Sequence, residues 1–430
     1  MTNTRRKFIS NISSFTATVG FSSFFTSMQG QSFLNELELK GHYSSEKLTD
    51  DEEYWSQIRN AYSINPTIIN LNNGGVSPSP KVVQDAVEHY NRLANELPSF
   101  HLNRTIGKGK ESVRRMLAEL GGCDPEEIAI HRNATESLEN IVFGLSLKKG
   151  DEVVLSKYDY PSIVSSWKQR ELRDGIKLKW VDLEFPMEDK ALIVKAFEKE
   201  FTKNTKVVNI THMINWTGQV LPVRAIADAA KKMDIDVLVD AAHTFCQMDF
   251  NIPDLNCDYL GTALHKWLCA PFGTGMLYVK KDKIKDVYPL FGSAEPRGGN
   301  IRKFEHIGTR STGLEMAIAH AIDFHNLIGA NRKYERLFYL KNYLLEGLEM
   351  IPRIQVKTSK QKEFSGALAY FEIDGIEKIH QLTSELFHQH QIHTVGVVHE
   401  KVKGIRATPN IYMLKSEIDR FVEVLEKKLK

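Results

Sequence analysis

The sequence predicts an α/β protein, with a mostly parallel sheet flanked by helices and then a smaller α+β lobe. Three observations predict it. The runs Lys206-Val207-Val208-Asn209-Ile210 and Asp236-Val237-Leu238-Val239 are almost continuously apolar, which suits parallel strands buried on both faces. The helical pattern of residues 223–233 lies between them, as a βαβ unit requires. After Gly308-Thr309 a long helical stretch, 314–348, changes the texture. At 430 residues, 42% hydrophobic and 26% charged, the chain is long and apolar enough for two domains with a large core. The expected division is a large domain over 68–310 and a small one over 311–430.

The elements follow in order. Residues 1–30 hold no acid and three bases, Arg5, Arg6 and Lys7, which lead into a Ser/Thr/Phe-rich stretch. This segment resembles a twin-arginine export signal and predicts a periplasmic or exported protein, with a cytoplasmic location as the alternative. It is too weakly apolar for a membrane span, so no stable anchor is expected once it is removed. Residues 31–67 are polar and acidic and predict an arm that packs onto the body. Ile68-Ile69-Asn70-Leu71 is a short strand, Asn72-Asn73-Gly74-Gly75 a turn, and Pro80 opens a helix. Residues 127–130 and 151–155 are further strands. In the last hundred residues, 367–373 is a strand, and 378–388 and 415–428 are helices.

Composition excludes several functions. Fifty-six Lys+Arg against 54 Asp+Glu give a net charge of +2, without the basic excess of a nucleic-acid binder. The four cysteines, Cys123, Cys246, Cys257 and Cys269, form neither a disulfide scaffold nor a C-x-x-C pair. Gly107-Lys108-Gly109-Lys110-Glu111-Ser112 fails the phosphate-loop spacing. His388 and His390 stand two apart in a helical context, which turns them to different faces, so no metal is expected.

Three features fall where an open parallel sheet collects its ligands, at the carboxyl ends of its strands. Asn133-Ala134-Thr135-Glu136 joins a strand to a helix start, whose free N–H groups and dipole suit a phosphate. Asp240 ends the most hydrophobic strand, a costly place for a carboxylate unless it meets a cation such as a protonated pyridine nitrogen. Lys266 stands between His265 and Trp267, ahead of Pro271-Phe272-Gly273-Thr274-Gly275. Partial burial there makes an amine competent to form a Schiff base. A phosphate cradle, a carboxylate and a lysine in that order imply pyridoxal 5'-phosphate (PLP).

These segments resemble the class V aminotransferases, PLP enzymes of fold type I that include isopenicillin N epimerase-like proteins and cysteine desulfurases. The resemblance covers roughly 68–430. The pattern K-x-x-x-x-P-x-G-x-G-x-L stands as Lys266 through Leu277, and Asn133-Ala134-Thr135 matches the family's phosphate loop. The resemblance implies that Asp240 pairs the pyridine nitrogen and that His243 bonds the ring hydroxyl. It also sets Tyr160 over the ring, with Tyr158 as a rival, and Asn215 beside ring and substrate. It brings His265 to the phosphate. In Glu305-His306-Ile307-Gly308-Thr309-Arg310, Thr309 would reach the phosphate of a neighbouring subunit, implying a homodimer with shared sites. Arg406, in Gly404-Ile405-Arg406-Ala407-Thr408, matches the arginine that grips the substrate carboxylate; Thr408 and Met413 depart from the family's usual residues. Asn73 and Arg310 are further candidates for binding the amino-acid substrate.

The family's desulfurases carry a cysteine shortly before that arginine. No cysteine follows Cys269 here. The expected activity is therefore a PLP-dependent aminotransferase acting at Cα of an amino acid. An epimerase or C–S lyase is the alternative, a non-catalytic binding protein the second alternative, and a cysteine desulfurase is excluded.

Overall fold

Side-chain alternation builds the centre of the molecule. The computed structural model describes residues 23–430. A short strand, β1 (Ile69–Asn70), precedes the central sheet. That sheet holds β2 (Ile128–His131), β3 (Glu152–Ser156), β4 (Lys177–Val181), β5 (Thr205–Thr211), β6 (Asp236–Asp240), β7 (Tyr259–Ala263) and β8 (Gly275–Val279). Their spatial order is β2-β8-β7-β6-β5-β3-β4. Strands β3 to β7 run parallel, and β8 lies antiparallel between β2 and β7.

Successive residues point to opposite faces, and both faces are covered. Val153, Leu155, Val207 and Leu238 pack into one apolar layer. Val154, Val208, Val237 and Val239 pack into the other. Asp236 pairs with Val207 and Asp240 with Thr211, so the two strands end level, and their loops open at one edge.

The second sheet is antiparallel, with β9 (Ile354–Val356), β10 (Ala369–Ile373), β12 (Val395–His399) and β13 (Val402–Ala407) in the order β12-β13-β10-β9. Between them in sequence, β11 (Ile392–His393) pairs in parallel with β1. The Thr408 N–H also donates to the Leu71 carbonyl at 2.7 Å. The segment after β1 is thereby fastened to the C-terminal lobe, a link no local pattern announces.

The helical stretch 314–348 is two helices, Gly313–Ile328 and Ala330–Glu349, broken at Gly329, whose φ of +95° only glycine adopts readily. The first of them packs on Lys81–Glu96 and Gly107–Gly121. The acidic arm folds as helices Met28–Lys40, Ser45–Leu48 and Glu52–Arg59, with Asp51 capping the last through the Tyr54 N–H at 2.9 Å. It docks by burying Phe33, Tyr54, Trp55 and Ile58, and by an Arg59–Glu417 ion pair at 2.7 Å.

Most of the expected export signal, residues 1–22, lies outside the described residues. Residue 30, its expected end, falls within helix Met28–Lys40, capped by Ser27, and Phe24 and Phe25 are buried against the body.

Candidate active site

The loops after β1, β2, β3, β5, β6 and β7 and the strand β13 enclose a cavity of about 270 Å³. It is lined by Asn133, Ala134, Thr135, Tyr160, Asn215, Asp240, His243, His265, Lys266 and Arg406. Ten expected site residues, scattered over 274 positions of sequence, are thus brought to one place.

Asn133 caps helix Ala134–Gly144, its Oδ1 accepting from the Glu136 N–H at 2.8 Å. The N–H groups of Ala134 and Thr135, at the start of the helix, have no carbonyl to bond within it, and both residues line the cavity, as an anion site requires. The Thr135 hydroxyl lies 3.2 Å from that of Ser162, which also lines the cavity. The loop can lie this close to β8 because residue 275 is glycine. A Cβ there would fall 2.6 Å from the Asn133 nitrogen.

Lys266 and Asp240 face the same cavity. Burial lowers the Lys266 amine to about 8; Asp240 opposes that fall, and Arg406 adds to it. Burial raises Asp240, against the opposing pull of the Ala242 N–H and Lys266. Lys266 Nζ stands 3.0 Å from His243 Nε2. Burial, then the Lys266 and Arg406 charges, pushes His243 well down, so the ring is neutral at pH 7. Nε2 accepts from the ammonium, which leaves the proton on Nδ1.

Arg406 donates to the Asn215 carbonyl at 2.9 Å and to Asn72 Oδ1 at 3.0 Å. Burial lowers its guanidinium to about 10, still charged at neutral pH.

Three polar atoms of this wall, His243 Nδ1, Asn215 Oδ1 and Arg406 Nε, are buried without a partner. Buried polar atoms are rarely left so, and a ligand with several polar groups would complete them. PLP fits this donor set: a helix start for phosphate, a buried carboxylate for a ring nitrogen, the His243 N–H for a ring oxygen and the Lys266 amine for an aldehyde carbon.

Tyr160 lines the cavity, with its ring centroid 5.8 Å from Lys266 Nζ. Tyr158 does not line it; it is buried with its hydroxyl 3.3 Å from Asp182. His265 lines the cavity, while its Nδ1 is held by the Thr274 carbonyl at 3.0 Å.

Three expected residues are not in the cavity. Asn73 is wholly buried, and its amide is used up inside the chain, donating to the Asn70 and Thr408 carbonyls and accepting from the Tyr412 hydroxyl at 2.5 Å. The asparagine that meets Arg406 is its neighbour Asn72. Arg310 pairs with Glu315 at 2.5 Å, because the first turn of helix Gly313–Ile328 offers a carboxylate five residues on. Thr309 is exposed, away from this chain's own cavity.

Sequence reasoning missed Asp159. It is fully buried behind the cavity, accepts from Thr211 Oγ1 at 2.7 Å and Asn209 Nδ2 at 2.8 Å, and is pushed up to about 7 by burial. A lone Asp between two tyrosines gives no sign of this; its partners lie 50 residues on.

Two expectations follow. Asn73→Ala removes a saturated buried amide and costs about 2 kcal/mol in a urea titration, while amino-acid affinity changes less than about threefold. A tenfold weaker affinity at unchanged stability would return Asn73 to the substrate site. The second concerns pH. Only the neutral amine attacks an aldehyde, so PLP capture by the apo-protein should rise about tenfold per pH unit below about 8 and level off above it. A rate flat from about pH 6 to 9 would contradict the assigned amine.

Comparison with known proteins agrees with this geometry. The model of the family "Aminotransferase class-V" matches residues 69–421. The isopenicillin N epimerase of Streptomyces clavuligerus is 25% identical over 388 residues, covering 86% of this chain and 98% of its own length. A probable cysteine desulfurase of Synechocystis sp. is 28% identical over 386 residues, covering 84% of this chain and 90% of its own. A solved structure of a C-DES mutant, with glycine covalently linked to its PLP cofactor, has a TM-score of 0.77 at 22% identity, covering 86% of this chain and 98% of that one. The chain belongs to the class V aminotransferase family, PLP-dependent enzymes of fold type I, and its cofactor is pyridoxal 5'-phosphate.

Proposed function

We propose that this enzyme is an aminotransferase that works at Cα of an amino acid, with Lys266 as the base and Arg406 as the carboxylate anchor. One observation carries the reading: Lys266, Asp240, His243 and Arg406 line a single cavity, where burial leaves the lysine with an amine of about 8. PLP, when bound, supplies a sink for the electron pair left at Cα. Arg406 binds the substrate carboxylate while Asn72 and Asn215 hold the guanidinium in place. Lys266 Nζ takes the Cα proton, since a buried amine of about 8 is near the pKa a base needs at neutral pH. His243, neutral, accepts a hydrogen bond from Nζ and orients it. Asp240 would face the ring nitrogen of the bound cofactor, and its carboxylate would favour the protonated form of that nitrogen.

Cysteine desulfuration is not part of this proposal. Among the described residues no cysteine lines the cavity, and Cys269 is buried with its Sγ 3.6 Å from the Lys266 carbonyl. The second reading is epimerisation. It is favoured by Tyr160, a second proton-bearing group on the cavity wall, and by the likeness to the Streptomyces clavuligerus epimerase.

Incubating the holoenzyme with L-amino acids in deuterated buffer, with and without a keto acid, separates the readings. Amino-group transfer to the keto acid supports transamination. Deuterium at Cα with racemisation supports epimerisation, and pyruvate with a released thiol supports C–S cleavage. No change in any amino acid would overturn the proposal.

The exposed position of Thr309 supports a homodimer in which it serves the partner's phosphate site, tested by sedimentation. The paired Arg5-Arg6 supports twin-arginine export, tested by a reporter fusion that stays cytoplasmic if the reading is wrong.

A further inference from the structure

A second and larger cavity, of about 570 Å³, adjoins the first. Gly75 and Val76 line both. Asn72 lines the second and holds Arg406 with its Oδ1 at 3.0 Å, while its Nδ2 meets His393 Nε2 at 3.2 Å. A hydrogen-bonded chain from Arg406 through Asn72 to His393 therefore runs along the boundary between the two spaces. Gly75 leaves room for that amide: a Cβ there would lie 3.3 Å from both polar atoms of Asn72.

The wall is mostly apolar. Ile64, Ile68, Val76, Pro78, Phe272 and Phe387 supply its apolar surface, with Phe272 60% exposed, and serines and asparagines are interspersed among them. Among the described residues, no lysine or arginine lines it. Its one acid, Glu417, already accepts from Arg59 and from the Leu414 N–H. Burial lowers His393, which is neutral at pH 7. Such a space has no unpaired charge to offer a charged side chain, and desolvating one would go uncompensated. An apolar group placed there gains about 25 cal/mol for each Å² removed from water.

We propose that this second cavity is the side-chain subsite of the enzyme, and that its substrates are amino acids with large, uncharged, mainly apolar side chains. The assignment rests on the reading of Arg406 as the carboxylate anchor. An amino acid held there lies within reach of Gly75 and Val76, which line both cavities.

The test is a spectral titration of the holoenzyme with L-alanine, L-2-aminobutyrate, L-homophenylalanine, L-glutamate and L-lysine, giving a Kd for each from the change in cofactor absorbance. It is repeated with Ile68→Trp, which fills the second cavity without touching the first. Homophenylalanine should bind at least about tenfold more tightly than alanine, glutamate or lysine, as burial of two or more CH₂-sized groups requires. Ile68→Trp should erase that advantage and leave alanine unchanged. Phe387→Ala, which enlarges the cavity, should retain a preference for homophenylalanine. Equal binding of alanine and homophenylalanine overturns the proposal. So does an Ile68→Trp variant that weakens both equally, or one that changes only the oligomeric state, which would make this face a contact with a second copy. A holoenzyme whose spectrum answers to no amino acid instead removes the amino-acid reading itself.

Discussion

Lys266→Ala should lower kcat by about 10⁴-fold, because it removes both the base and the covalent anchor of the cofactor. The groups left on the wall are poor replacements: burial holds His243 well down and so makes it a weak base, and Tyr160 lies with its ring centroid 5.8 Å from Nζ. Lys266→Arg should be equally inactive, since a guanidinium stays charged at every working pH. It keeps the charge beside Asp240, so a shared loss in both variants assigns the defect to the missing amine, as base and covalent anchor, rather than to electrostatics. Retention of a tenth of the activity in either variant would mean that another group moves the proton.

Arg406→Ala should raise the Kd for amino acids by about 100-fold, from loss of a charge-assisted, two-pronged contact worth about 3 kcal/mol. Arg406→Lys should recover little. The planar guanidinium reaches the Asn215 carbonyl and the Asn72 amide at once, and a single ammonium cannot hold both and a carboxylate. The defect should appear in affinity for amino acids much more than for their amines without a carboxylate. Equal weakening for both ligand types would show that Arg406 shapes the pocket without binding the carboxylate.

The central sheet was legible because burial on both faces makes its strands continuous apolar runs, as in β5 and β6. β4 was not. Its Lys177-Leu178-Lys179-Trp180-Val181 is half-exposed at the sheet edge, where charges guard against mispairing and dilute the strand signal. The site divides in the same way. Lys266, Asp240 and Asn133 each sit at the end of a strand, so their loop positions fix where they point. The Asn70, Asn72 and Asn73 cluster is different. Three identical side chains within four residues are told apart by contacts to Thr408, Tyr412 and Arg406, more than 330 positions away. Arg310 looked free to bind substrate because Glu315 faces it only once the helix has formed. Tyr158 and Tyr160 differ by burial, which two tyrosines in one loop cannot reveal.

A depressed lysine alone would not have found the site. Burial also lowers Lys341 to about 7 and Lys303 to about 8. Both are capped by the chain: Lys303 donates to the Ile284, Val287 and Pro296 carbonyls, and Lys341 to the Ser359 carbonyl and Ser365 hydroxyl. Lys266 alone of the three opens on a cavity with a carboxylate and an arginine. Borohydride reduction of the holoenzyme followed by peptide mapping decides among them. The cofactor mass should appear on the peptide that carries Lys266 and Trp267, and nowhere else. An adduct on Lys303 or Lys341, with Lys266 unmodified, would contradict the account.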